Sequence, residues 1–155
     1  ESLRITSNAR NIGFIKRYAA LIEKIFNKKP YVAKRKSSNA VDITIYEKFI
    51  SRRLGIPAGA RLKLTIKTPF WIKRNKTYLK RYLRGLYEAE GSLNYHKKTY
   101  THKFLFANVN LSMLDIVHDS LLRLGICAHR SKNMIQVSRK GEVARAVKLL
   151  KFGVY

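Results

Sequence analysis

The sequence is poor in acid. Nine Asp and Glu stand against 33 Lys and Arg in 155 residues, a formal net charge of +24. The bases run along the whole chain, so no single basic tail accounts for them. A folded chain with this imbalance repels itself unless a polyanion neutralises it. Nucleic acid meets that need first, and an anionic membrane surface is the rival. Cysteine is nearly absent. Cys127 stands alone, which excludes an internal disulfide and a thiolate metal cluster and leaves it the place of a small core residue. No apolar run approaches the length of a membrane span, and no secretory signal pattern opens the chain. These absences suit an intracellular compartment, cytoplasmic or an organelle matrix, and no membrane partner. His96, His102, His118 and His129 show no metal-ligand spacing, and no Ser-His-Asp or Cys-His arrangement is visible. What is present is a chain 46% hydrophobic, long enough for an ordered core.

Apolar periodicity divides the chain into strands and helices. Leu3 to Asn8 alternates and reads as a strand. A helix is expected from Asn11 to Phe26, burying Phe14, Ile15, Tyr18, Leu21, Ile22, Ile25 and Phe26. Tyr31 to Arg35 and Val41 to Ile45 read as a hairpin around Lys36-Ser-Ser-Asn39, which has turn chemistry. A short helix follows from Tyr46 to Leu54, and Gly55 stops it. Residues 57–76 read as a connector, with Trp71 a core plug and Thr77 the N-cap of the next helix. Beyond Gly91, Ser92 to His96 and Tyr100 to Val109 flank a Lys97-Lys98-Thr99 turn. A helix from Ser112 to Leu124, a hairpin of Cys127 to Arg130 and Met134 to Ser138, and a helix from Gly141 to Phe152 complete the chain.

The stretch Tyr78 to Ser92 carries the most information. It reads as a helix stopping at Gly91, with Leu79, Leu83 and Leu86 in one apolar stripe. Tyr78, Tyr82, Gly85 and Ala89 form a second face that narrows from aromatic to small, so another backbone could come close. Glu88 and Glu90 occupy the last turn, where the helix dipole disfavours negative charge. A bound cation would justify them there; an ordinary amphipathic helix with solvated acids is the plainer reading.

There is also an internal repeat. A shift of 100 positions carries Asn8, Phe14, Leu21, Ile22 and Phe26 onto Asn108, Leu114, Leu121, Leu122 and Ile126. A hairpin and closing helix follow in both halves. Residues 1–56 then form an incomplete first repeat, lacking its opening helix and first strand. Residues 57–76 connect, and 77–155 form the complete second repeat.

Leu83-Arg-Gly-Leu-Tyr-Glu-Ala-Glu-Gly91 resembles the nine-residue signature of the LAGLIDADG homing endonucleases. The likeness rests on Leu83, Gly85, Leu86, Ala89 and Gly91, with Glu88 and Glu90 in the two acidic places. Arg84 and Tyr87 fall where that family varies. The element order is similar, and Leu54-Gly-Ile-Pro-Ala-Gly-Ala-Arg61 followed by Pro69-Phe-Trp-Ile72 looks like the linker of two-repeat members. The resemblance implies an α+β fold, a duplicated α-β-β-α-β-β-α unit whose antiparallel sheets form a DNA-binding saddle, with the first unit incomplete. It implies that the Tyr82, Gly85 and Ala89 face packs on a second signature helix. A missing N-terminal segment, a second chain or a second copy would supply that helix.

The function so implied is a site-specific, divalent-metal-dependent endonuclease acting on double-stranded DNA. Glu90 carries over as the ligand of Mg²⁺, or of Mn²⁺, and Glu88 as a structural acid that caps the facing helix or pairs with a base. Arg139 and Lys140 sit where the family places a basic residue assisting catalysis; as ordinary bases they would contact phosphate or solvent. Sequence reading falls to strand faces. Ser92, Asn94, His96 and Lys98 lie on one face of the first strand, opposite Leu93 and Tyr95, and His102 is placed on the same surface. The register of the second strand stays open between Phe104 with Phe106 and Leu105 with Ala107. Arg130 and Lys132 flank the next turn, with Gln136 one strand over. Arg4, Thr6, Lys34, Lys36 and Thr44 hold related places in the first half. A catalytically silent DNA-binding regulator or an RNA-splicing maturase on this scaffold is the alternative, and a basic structural RNA-binding protein a more distant one.

Overall fold

The computed structural model describes residues 1–57 and 64–155. They fall in two compact units, Glu1–Gly59 with Val154–Tyr155, and Ala60–Gly153. The middle of the expected connector, 58–63, lies outside the described residues.

The first unit contains β1 (Ser2–Asn8), α1 (Ile12–Phe26), β2 (Tyr31–Lys34), β3 (Ala40–Tyr46) and α2 (Ile50–Leu54). Its strands are antiparallel in the order β1-β3-β2. Ile22, Ile43, Ile45 and Ile50 form its core. The helix face is narrower than the sequence suggests. Ile15, Tyr18, Ile22 and Phe26 pack on this core and Phe14 is buried beside Tyr18, while Leu21 and Ile25 are exposed. A three-stranded sheet covers one stripe of a helix, not a broad face. The second helix is shorter than expected, because β3 holds through Tyr46 and Phe49 turns left-handed (φ 56°) before Ile50. The Glu1 carboxylate caps that helix, accepting from the N–H and the hydroxyl of Ser51, both at 2.9 Å.

The second unit contains α3 (Phe70–Arg74), α4 (Lys76–Glu90), β4 (Gly91–His96), a 3₁₀ turn (Lys97–Thr99), β5 (Thr101–Ala107), α5 (Leu111–Arg123), β6 (His129–Arg130), β7 (Met134–Val137) and α6 (Lys140–Leu150). Its antiparallel sheet runs β4-β5-β7-β6. Leu83 and Tyr87 of α4, Phe104 and Phe106 of β5, Leu114 and Leu121 of α5, Ile135 and Val137 of β7, and Val143 and Leu150 of α6 meet in one core. Tyr87 lies flat on Phe104, with ring centroids 4.1 Å apart.

The order β1-β3-β2 repeats as β5-β7-β6, each with its helix after the first strand. Within the helices the match slips by one residue. Phe14 and Leu114 are both buried, but Ile22 corresponds in burial to Leu121, and Leu122 is 48% exposed. The core-facing spacing is i, i+3, i+7 in both helices, with Ile15, Tyr18 and Ile22 in α1 answering to Leu114, Val117 and Leu121 in α5.

Three local expectations fail for visible reasons. Trp71 is 61% exposed and meets Tyr78 edge-on at 5.5 Å; the short α3 turns Ile72 inward instead. The cap of α4 is Asn75, not Thr77: its Oδ1 accepts from the N–H groups of Thr77 (2.9 Å) and Tyr78 (3.2 Å). Cys127 is exposed, and its N–H donates to the Glu142 carboxylate at 2.9 Å. That bond and the Arg145 guanidinium hold the Glu142 pKa below the usual carboxylate value.

Candidate nucleic-acid interface

Helix α4 presents three different faces. Leu79, Leu83 and Tyr87 anchor it in the core. Burial pushes the Tyr87 hydroxyl well above the usual phenol pKa, and that hydroxyl has no hydrogen-bond partner among the described residues. A second face pairs the buried Arg84 with Glu88, one turn on, Nε donating to Oε1 at 2.6 Å. The Glu88 side chain is fully buried, so it is a structural acid paired within its own helix. On the third face Tyr82 and Gly85 are half-buried and Ala89 is exposed. A Cβ on Gly85 would meet no described atom within 4 Å. The close approach that Gly85 permits is therefore not used within the described residues. Burial raises the Tyr82 pKa, opposed by the Thr68 hydroxyl.

Glu90 is the last residue of α4 and is exposed. Gly91 opens β4 directly after it, with no intervening loop. The last turn of α4 holds no basic residue, so the carboxylate adds to the negative end of the dipole. That is a cation-attracting position with a hard oxygen donor, and it fits a divalent ion as one ligand. Among the described residues no three His, Cys, Asp or Glu cluster for metal binding. A single carboxylate suits an ion that keeps most of its waters and takes phosphate oxygens. Arg139 stands at the N-cap position of α6 without a side-chain capping bond and Lys140 begins the helix; both are exposed, and among the described residues no ion pair joins either to Glu90.

The strand registers decide which side chains share the open faces, away from the helices. In the second unit Phe104 and Phe106 are buried, which settles the ambiguous strand. Ser92, Asn94 and His96 then lie on the open face, paired with Leu105, Lys103 and Thr101. Gln136 adjoins Leu105, and His129 adjoins Gln136. Ser92, Leu105, Gln136 and His129 thus cross the sheet in one row.

The same registers correct several placements. His102 shares the helix-side face with Phe104 and stands beside Tyr95, ring centroids 5.2 Å apart. Arg130 adjoins Ile135 on that side, and its Nη1 meets Asp115 of α5 at 2.7 Å. Lys98 is in the exposed 3₁₀ turn rather than on the strand, and Lys132 is in the turn before β7. In the first unit Arg4 and Thr44 are cross-strand neighbours on the open face, and Thr6 lies two residues along beside Asp42. Lys34 alternates to the helix side opposite Val41, and Lys36 lies in the hairpin turn. The sequence reading missed Thr101, Lys103 and His129, and also Arg35. The first two follow once two phenylalanines are preferred to Leu and Ala as core residues. His129 has no sequence signal, because a two-residue strand has no periodicity.

Residues 77–152, from α4 to the end of α6, match the family described as LAGLIDADG-like domain. This part of the chain is a LAGLIDADG-like domain. A comparison with curated proteins finds no match. Similarity to solved structures extends over nearly the whole chain. The homing endonuclease I-DmoI in complex with DNA and Mn matches with a TM-score of 0.60 at 17% identity, over 96% of this chain and 80% of that one. Mesophilic variants of I-DmoI match with a TM-score of 0.59 at 19% identity, over 96% and 79%. The N-terminal LAGLIDADG domain of DUF199/WhiA matches with a TM-score of 0.59 at 15% identity, over 99% and 71%. Such identities show the LAGLIDADG fold; the roles of single residues must come from this chain's own geometry.

Proposed function

We propose that this LAGLIDADG chain is a site-specific, divalent-metal-dependent endonuclease of double-stranded DNA. Its net charge of +24 calls for a polyanion, and I-DmoI, with the same fold, is described in complex with DNA and Mn and with its target DNA in the presence of Mg. The observation that carries the catalytic part is Glu90. It is an exposed carboxylate at the C-terminal, negative end of α4 that no described ion pair engages, whereas the Glu88 side chain is buried against Arg84.

In this reading the open strand faces take the major groove. Asn94, His96, Lys103, Gln136 and His129 in one unit, and Arg4 in the other, offer donors and acceptors to base edges, while Thr44 is buried between its strand neighbours. Exposed bases in the turns, Lys36, Lys98 and Lys132, hold phosphates and set position without reading sequence. Glu90 would hold Mg²⁺ or Mn²⁺ as a hard oxygen ligand beside one scissile phosphate. When bound, such an ion supplies charge neutralisation and an acidified water. Arg139 and Lys140 would contribute positive charge to the phosphate being cut. The Tyr82, Gly85 and Ala89 face would receive a facing signature helix from an upstream segment, a second chain or a second copy, bringing the acid for the other strand.

A second reading is a DNA-binding protein without cleavage, or a splicing maturase. The likeness to the WhiA domain, which is not described as a nuclease, favours it. Incubation of the full chain with Mg²⁺ and a duplex that it binds tightly separates the two. Cleavage of wild type and loss of cleavage in Glu90→Gln support the enzyme; tight binding without any cut supports the silent binder.

A further inference from the structure

We propose that Arg35 reads a guanine in the bound DNA, with Asp42 and Thr6 as the positioning residues that hold it. The inference rests on the DNA-binding reading above and narrows it to one side chain and one base.

Arg35 follows β2 and continues its alternation. Its N–H donates to the Ala40 carbonyl at 2.8 Å, so its side chain shares the open face with Arg4, Thr6 and Thr44. There it meets a carboxylate from β3. Nε donates to Oδ2 of Asp42 and Nη2 to Oδ1, both at 2.8 Å. Nη2 also donates to the Thr6 hydroxyl at 3.1 Å, and that hydroxyl donates to Asp42 Oδ1 at 2.6 Å. Four hydrogen bonds thus close over three side chains, Thr6 on β1, Asp42 on β3 and Arg35 just past the end of β2. The side chain of Asp42 is 17% exposed and that of Arg35 42%, so the carboxylate lies beneath and the guanidinium above. Among the described residues both N–H groups of Nη1 remain unused.

A chain so poor in acid has placed one on a face that must approach phosphates. An acid there costs affinity for any DNA, and a phosphate-contacting arginine would gain nothing from a competing anion. A base-reading arginine does gain, because the carboxylate fixes the planar fork before binding. Arginine has donors only. In the major groove guanine presents two acceptors, N7 and O6, where adenine and cytosine present a donor and thymine a methyl group. Thr6, which the sequence placed at the DNA, spends its hydroxyl on this network instead.

Selection from a randomised duplex library with the full chain, followed by competition binding on the selected site, tests the assignment. Arg35→Ala should lose the preference at one guanine by roughly 5- to 100-fold and keep the preferences elsewhere. Asp42→Asn should weaken the same preference while binding to unrelated duplex holds or rises, because a negative charge is removed. Arg35→Lys should fail to restore the preference. Thr6→Val gives a milder loss at the same base, and serves if Asp42→Asn does not fold by circular dichroism. A uniform loss of affinity across sequences in Arg35→Ala, with the salt slope lowered by about one, would make Arg35 a phosphate contact and overturn the proposal. Wild type that selects no sequence defeats the DNA-reading premise; wild type that selects one, with Arg35→Ala selecting the same one equally well, defeats this inference alone.

Discussion

Glu88 and Glu90 stand two residues apart in one helical turn and have opposite fates. Glu88 is sealed from solvent against Arg84, and Glu90 faces outward. The signature shows two acids and cannot say which is free; the basic residue one turn earlier, in a variable position, decides it. Removing the partner leaves a carboxylate buried without its cation. Arg84→Ala should therefore cost about 3 kcal/mol of folding stability, and the double change Arg84→Met with Glu88→Leu much less. Urea unfolding of the two variants makes the comparison, and equal losses would contradict the pairing. Asp42 gives a second residue-level expectation. Hydrogen bonds from Arg35 and then from Thr6 lower its pKa to about 2 from 3.8. A depressed carboxylate pKa stabilises the fold above the unfolded value and ceases to do so as pH falls through the folded one. The contribution is thus present at pH 4 and fades towards pH 2. Carboxyl carbon NMR should place the Asp42 midpoint near 2; titration near 3.8 would mean that the network does not persist in solution.

At the scale of elements, the α4–β4 join shows why the signature ends in glycine. Helix passes to strand without a loop, and Gly91 has an ordinary extended φ of −91°, so freedom of backbone is not the reason. Space is the reason. A Cβ there would come within 2.5 Å of both the carbonyl oxygen and the ring of Tyr87, which is fully buried in the core. Gly91→Ala should lose roughly 1–3 kcal/mol by overpacking. A lowered denaturation midpoint checks this; an unchanged one would contradict it. Most elements were legible because their apolar periods are clear. What stayed hidden was register and rotation. Phe104 and Leu105 are both apolar, so alternation alone could not choose the inner face of β5, and His102 was misplaced with it. Leu21 and Ile25 look like core residues, but the sheet beneath α1 has only three strands. Trp71 looked like a plug because tryptophan is large; it sits on a five-residue helix that offers the interior to Ile72 alone.

At the scale of the whole molecule, the likeness of the two halves was legible because order and spacing recur, and the strand order β1-β3-β2 answers to β5-β7-β6. The one-residue slip between α1 and α5 was not, since Leu121 and Leu122 are chemically alike. Charge spoke for a polyanion, and the fold narrows it to the scaffold shared with I-DmoI. The central claim is that Glu90 makes the basic LAGLIDADG scaffold a nuclease. The most direct measurement compares wild type and Glu90→Gln, each as the full chain, on a tightly bound duplex with and without Mg²⁺. The account predicts Mg²⁺-dependent cutting by wild type, a loss of at least about 100-fold in Glu90→Gln, and equal affinity of both for the duplex. Cutting that survives in Glu90→Gln, or a wild type that binds tightly and never cuts, would contradict it.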